Sequence, residues 1–169
     1  SPNDTVKGFD AVHVVHGSSG LELWLGEAKF YGDIAQAMTD AAKSLDDHFK
    51  ADFLKQEFVA MRRKIDPAQP LPDGALQLFE PNISLDTVIK SIHVPVLLTY
   101  NSDAVAAHKE TSAQYIEAFE REVLAHRDAF ATKALPKHAV VHLILVPLLN
   151  KEALVAEMHR CLKAAQELI

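Results

Sequence analysis

A chain of 169 residues, 49% apolar and 24% charged, is long enough for one substantial core and is neither disordered nor fibrous. A net charge of −6 argues against tight binding of nucleic acid by charge alone, though not against nucleic acid reached through a metal ion or a basic partner. The longest apolar run, AVVHLILVPLL at 139–149, is too short to cross a bilayer, and a single cysteine cannot form an internal disulfide, so a reducing cytoplasm is the expected location.

GFDAVHVVHGSSGLELWLGEAKFY, from residue 8 to 31, reads as a β-hairpin, with turn chemistry at Gly17 to Gly20 between flanks rich in Val, Leu and aromatics. Ile34, Met38, Ala41, Leu45 and Phe49 then recur at helical spacing, with Asp33 near the start, where a carboxylate suits the helix dipole. A second helix is expected from about Phe53 to Lys64, followed by a Pro-rich loop at 67–74. Ser84 is placed to cap a short helix running through Ile92, and VPVLLTY at 94–100 reads as a buried strand. Ile116, Phe119, Val123 and Phe130 mark an amphipathic helix over roughly 109–133, and Ala139 to Pro147 is a further buried strand. Asn150 caps a final helix with Leu154, Met158, Leu162 and Ile169 on one stripe. Continuous apolar strands separated by helices imply an α/β fold, its mixed central sheet opened by an antiparallel hairpin and covered by helices on both faces.

LELWLGEAKFY poses a chemical question. Strand alternation puts Glu27 and Lys29 on the same face as Leu21, Leu23 and Leu25, so an apolar face ends in a carboxylate and an ammonium. With residues 17 to 20 as the loop, His16 faces Leu21, Val14 faces Leu23, Val12 faces Leu25 and Asp10 faces Glu27. Opposed Cβ atoms lie about 4.5–5.5 Å apart. Two carboxylates at that separation repel unless a cation lies between them, and Mg²⁺ takes such oxygen ligands at about 2.0–2.1 Å. Lys29 is then placed to hold an attacking water or to offset developing negative charge. An exposed Glu–Lys ion pair at a strand end is the competing explanation of the same residues.

Asp on one strand, Glu-x-Lys on the next and then a helix resembles the PD-(D/E)xK nuclease superfamily. GFDAVHVV, LELWLGEAKFY and AQAMTDAAKSL further resemble the nuclease domain of the HamA family, the effector of Hachiman anti-phage defence. The resemblance implies a restriction-endonuclease-like core and Mg²⁺- or Mn²⁺-dependent hydrolysis of DNA. Asp10, Glu27 and the Ala28 carbonyl would bind metal, Lys29 would act on the water, and Gln36 would match a glutamine many relatives carry in the next helix. It also implies a helicase partner (HamB-like) that holds the nuclease until infection is sensed. Many superfamily members place a helix and a strand before the motif aspartate, whereas nine residues precede Asp10 here, so the chain reads as a single domain from the C-terminal part of a longer protein. A non-catalytic module binding DNA ends or a partner on the same scaffold is the alternative.

Other residues speak less clearly. His13 and His16 lie on opposite faces of their strand, and His138 and His142 are about 13 Å apart along theirs, so neither pair closes a zinc site. His13, opposite Trp24, reads as packing. Tyr31, Gly32 and Asp33 join the motif strand to its helix. Arg62, Arg63 and Lys64 form the one three-residue basic run. Nothing marks Cys161 as reactive, and no Gly-rich loop cradles a phosphate.

Overall fold

The computed structural model describes residues 8–17, 20–50, 82, 84 and 91–167. Four strands, β1 (Ala11–Gly17), β2 (Gly20–Phe30), β3 (Ile92–Asn101) and β4 (Val140–Leu148), form one sheet in chain order. Strands β1 and β2 are antiparallel and the rest of the sheet is parallel, so the expected mixed α/β fold holds. The described helices are α1 (Ile34–His48), α2 (Asp103–Ala107), α3 (Ala113–Ala131) and α4 (Lys151–Gln166).

The hairpin register is the one expected from a turn at residues 17 to 20: Val12 pairs with Leu25, His13 with Trp24, Val14 with Leu23 and His16 with Leu21. The loop is shorter than four residues, because Gly17 and Gly20 themselves pair. Gly20 has φ +120, a conformation that glycine takes without steric penalty.

The chain divides into two compact units, Ser1–Ala28 with Ala41–Val96 and Ala134–Leu143, and Lys29–Asp40 with Leu97–Lys133 and Ile144–Ile169. In the first, Leu23, Leu25, Ala41, Leu45, Val94 and Val96 are fully buried. On the other sheet face, Trp24 stacks on His93 (centroids 4.7 Å, 8°) and on His142 (5.0 Å, 13°). His93 Nδ1 lies 3.0 Å from His142 Nε2, and Trp24 Nε1 donates to Glu22 at 3.0 Å. His142 thus pairs with a histidine on the neighbouring strand, which one-dimensional spacing could not reveal.

In the second unit, Ala37, Met38, Leu98, Tyr100, Ala104 and Phe130 are buried. Ser102 caps α2 by accepting from Val105 N–H (3.1 Å), and its hydroxyl donates to Glu122 at 2.6 Å. Burial pushes the Glu122 carboxyl up, but hydrogen bonds from Ser102 and the Ala104 N–H, with the Tyr100 hydroxyl and His126 nearby, outweigh that and hold it below the ordinary glutamate value. Burial, and then the Glu122 carboxylate, raise the Tyr100 hydroxyl above the usual tyrosine range.

Several expectations need correction. Ile92 does not end a helix: the Leu23 N–H donates to the Ser91 carbonyl at 2.7 Å, so Ile92 opens β3. The helix expected over 109–133 forms as α3 but starts later, at Ala113, because Ser112 caps it, its Oγ accepting from Tyr115 N–H at 3.1 Å; the short helix α2, capped by Ser102, precedes it and was not expected. Asn150 does cap α4, accepting from Ala153 N–H at 2.8 Å. Its stripe is not core, however: no residue of α4 is buried, and Met158 and Leu162 are more than half exposed. The helix expected at 53–64, the loop at 67–74, the basic run at 62–64 and most of the helix after Ser84 lie outside the described residues.

Candidate functional site

Asp10 lies one residue before β1, and its N–H donates to the Gly26 carbonyl at 3.0 Å. Ala11 pairs with Gly26, and because the Asp10 N–H bonds to Gly26 as well and not to Glu27, the chain steps out of the regular ladder at Asp10, which is not the direct partner of Glu27 that the sequence led one to expect. The Asp10 carboxylate is exposed, and its Oδ2 accepts from the Ala28 N–H at 2.8 Å, which ties it to the backbone of β2. Glu27 is only 3% exposed and follows Leu23 and Leu25 on the covered face of β2.

A buried carboxylate is costly unless polar groups answer it. One such group is His48, whose Nδ1 lies 3.8 Å from Glu27 Oε2, with both side chains almost wholly buried. The edge of Phe9 meets the imidazole at 4.7 Å, and Phe9 also packs edge-on against Phe49 at 6.0 Å. The sequence reading overlooked His48. The available signal was its position on the α1 stripe, three residues after Leu45, where an apolar residue was due.

In the second unit, Lys29 is half-buried, two residues beyond Glu27 on the same strand. Gln36 is exposed near the start of α1, where Asp33 Oδ1 accepts its N–H at 2.9 Å and so caps the helix. Its side-chain amide donates to Asp40 Oδ2 at 2.9 Å, and the Tyr31 hydroxyl donates to the same oxygen at 2.9 Å. This hydrogen bond, then the Asp40 charge, raise the Tyr31 hydroxyl above its ordinary value.

Two further bonds fix the connection from β2 to α1. The Thr99 hydroxyl accepts from the Tyr31 N–H and donates to the Tyr31 carbonyl, both at 2.9 Å. Asn101 N–H donates to the Gly32 carbonyl at 2.8 Å, and Asn101 Oδ1 accepts from Lys151 N–H at 2.7 Å. A Cβ on Gly32 would stand 2.9 Å from Asn101 Nδ2, so glycine is required there by close approach. Lys151 Nζ lies 5.2 Å from the Phe30 ring centroid and 5.9 Å from that of Tyr31.

The metal-binding set expected from the sequence, Asp10, Glu27 and the Ala28 carbonyl, consists of hard oxygen donors of the kind Mg²⁺ takes. It is not a soft-metal set, and no cluster of three or more His, Cys, Asp or Glu that could hold a metal ion forms among the described residues. Cys161 is exposed on α4. No helix among the described residues is long and apolar enough to cross a membrane.

Together these features define an α/β protein with a mixed sheet, in which an exposed aspartate is tied to the strand backbone next to a buried glutamate. The chain belongs to the HamA family, whose model matches residues 1–162, and so to the proteins of Hachiman anti-phage defence. Neither a curated protein nor a solved structure matches it.

Proposed function

We propose that this chain is a metal-dependent deoxyribonuclease of the PD-(D/E)xK type, acting in the bacterial cytoplasm under control of a helicase subunit (HamB-like). The observation that carries the reading is a glutamate, Glu27, buried at the end of an apolar face, followed by Lys29, with the Asp10 carboxylate bound to the backbone N–H of the adjacent Ala28. Such an arrangement makes little sense as a solvated ion pair, because an exposed pair does not need a buried partner.

Asp10, Glu27 and the Ala28 carbonyl hold Mg²⁺ or Mn²⁺ in this reading. The bound cation supplies Lewis-acid polarisation of a phosphate oxygen and makes a water more acidic. The protein's own groups do the rest. The Ala28 N–H fixes the Asp10 carboxylate, burial keeps bulk water from Glu27, and the Lys29 ammonium orients the attacking water and offsets charge on the phosphate oxygens. Gln36, held by Asp40, orients the same strand of substrate. The net charge of −6 makes the helicase partner the natural source of affinity for DNA.

Incubating plasmid and linear DNA with the chain in Mg²⁺, Mn²⁺ or EDTA, beside Glu27→Ala and Lys29→Ala, tests this directly. Metal-dependent cutting that both substitutions abolish supports the nuclease. No cutting of DNA in any metal, with or without the helicase subunit, leaves the non-catalytic binding module as the better account.

A further inference from the structure

Phe30 is the last residue of β2 and stands 47% exposed, directly after Lys29. Over its ring lies the Lys151 ammonium, 5.2 Å from the centroid, and the same ammonium is 5.9 Å from the centroid of Tyr31. The frame beneath is rigid. Asn101 ties the backbones of Gly32 and Lys151 together, and Thr99 and Asp40 hold the two ends of Tyr31. A half-exposed aromatic ring with a cation over it, on a hydrogen-bonded backbone, matches the two needs of an unpaired nucleotide: a π-surface for the base and a positive charge for its phosphate.

We infer that Phe30 and Lys151 form a docking platform for single-stranded nucleic acid, in which a base takes the place of the Lys151 ammonium on the Phe30 ring and the displaced ammonium meets the adjoining phosphate. This deepens the nuclease reading and rests on it. Lys29 and Phe30 project to opposite faces at the end of β2, so a strand that presents a phosphate to Lys29 reaches Phe30 by rounding that end of the strand. The Asp40 carboxylate at the Tyr31 hydroxyl repels phosphate and keeps the backbone on the Lys151 side. Duplex DNA offers no free base face, so the platform selects an unpaired strand, such as one a helicase exposes.

The test is fluorescence anisotropy of the full chain in EDTA and low salt, where binding proceeds without cleavage. The probes are a labelled oligothymidylate and a duplex of equal length. Wild type binds the single strand more tightly than the duplex. Phe30→Ala weakens single-strand binding about tenfold, Phe30→Trp retains it, and Lys151→Gln weakens it and lowers the salt slope by about 1. Melting curves matching wild type show that these variants fold. Unchanged single-strand affinity in Phe30→Ala and Lys151→Gln overturns the inference, as does wild type that binds neither probe or prefers the duplex. Cleavage in Mg²⁺ is scored separately. Cutting that persists with unaltered binding in the variants sinks the platform and leaves the nuclease; single-strand binding without any cutting sinks the nuclease alone.

Discussion

Ser102→Ala tests the hydrogen-bonded junction between β3, α2 and α3. Ser102 is 1% exposed, its hydroxyl donates to Glu122 at 2.6 Å, and the same oxygen accepts from Val105 N–H at 3.1 Å. A hydrogen bond to a charged group contributes about 1.5–3 kcal/mol. Loss of a serine cap costs about 1 kcal/mol. One hydroxyl serves both, and Glu122 keeps its bond from Ala104 N–H at 2.9 Å, so a combined loss of about 2–4 kcal/mol is expected. For a chain of this size that lowers the Tm by roughly 5–15 °C. Urea denaturation at pH 7 measures it, with the m-value unchanged from wild type. Glu122→Gln should show strong coupling to Ser102→Ala in a double-mutant cycle. A loss below about 1 kcal/mol, or additive effects of the two changes, would refute the account of this junction.

Other outcomes follow from the same structure. Glu122 is held below its ordinary value when folded, so its contribution is complete above about pH 4.3 and is lost as the pH falls through the folded value; acid titration of stability should show a smaller loss in Glu122→Gln. Tyr100 is shifted the opposite way, so its contribution is present below about pH 10 and declines as the pH rises above that, which Tyr100→Phe should abolish in an alkaline melt. Gly32→Ala should cost about 1–3 kcal/mol, because Asn101 is pinned by Lys151 and cannot yield; Asn101→Ala in the same background should recover part of that loss. Leu25→Ala, at a fully buried site, should cost about 2–5 kcal/mol by denaturant titration. Leu162→Ser, on the exposed face of α4, should change stability by no more than about 0.5 kcal/mol; a loss above about 2 kcal/mol would mean that face is covered in solution.

Local chemistry explains how much of this protein was readable in one dimension. The turn residues at 17–20 announced the register as far as Ala11 opposite Gly26, where a one-residue slip would have put Leu23 and Leu25 on the wrong face, but not the step out of the ladder at Asp10. Asn150 and Asp33 announced helix starts because capping depends on nearest neighbours only. What tertiary structure alone decided depends on partners distant in sequence. His48 meets Glu27 from the far end of α1, His93 finds His142 across neighbouring strands, and Asp40 collects both Tyr31 and Gln36. The stripe of α4 has the helical spacing of a core face yet stays exposed, since periodicity shows that a helix has an apolar side but not what covers it.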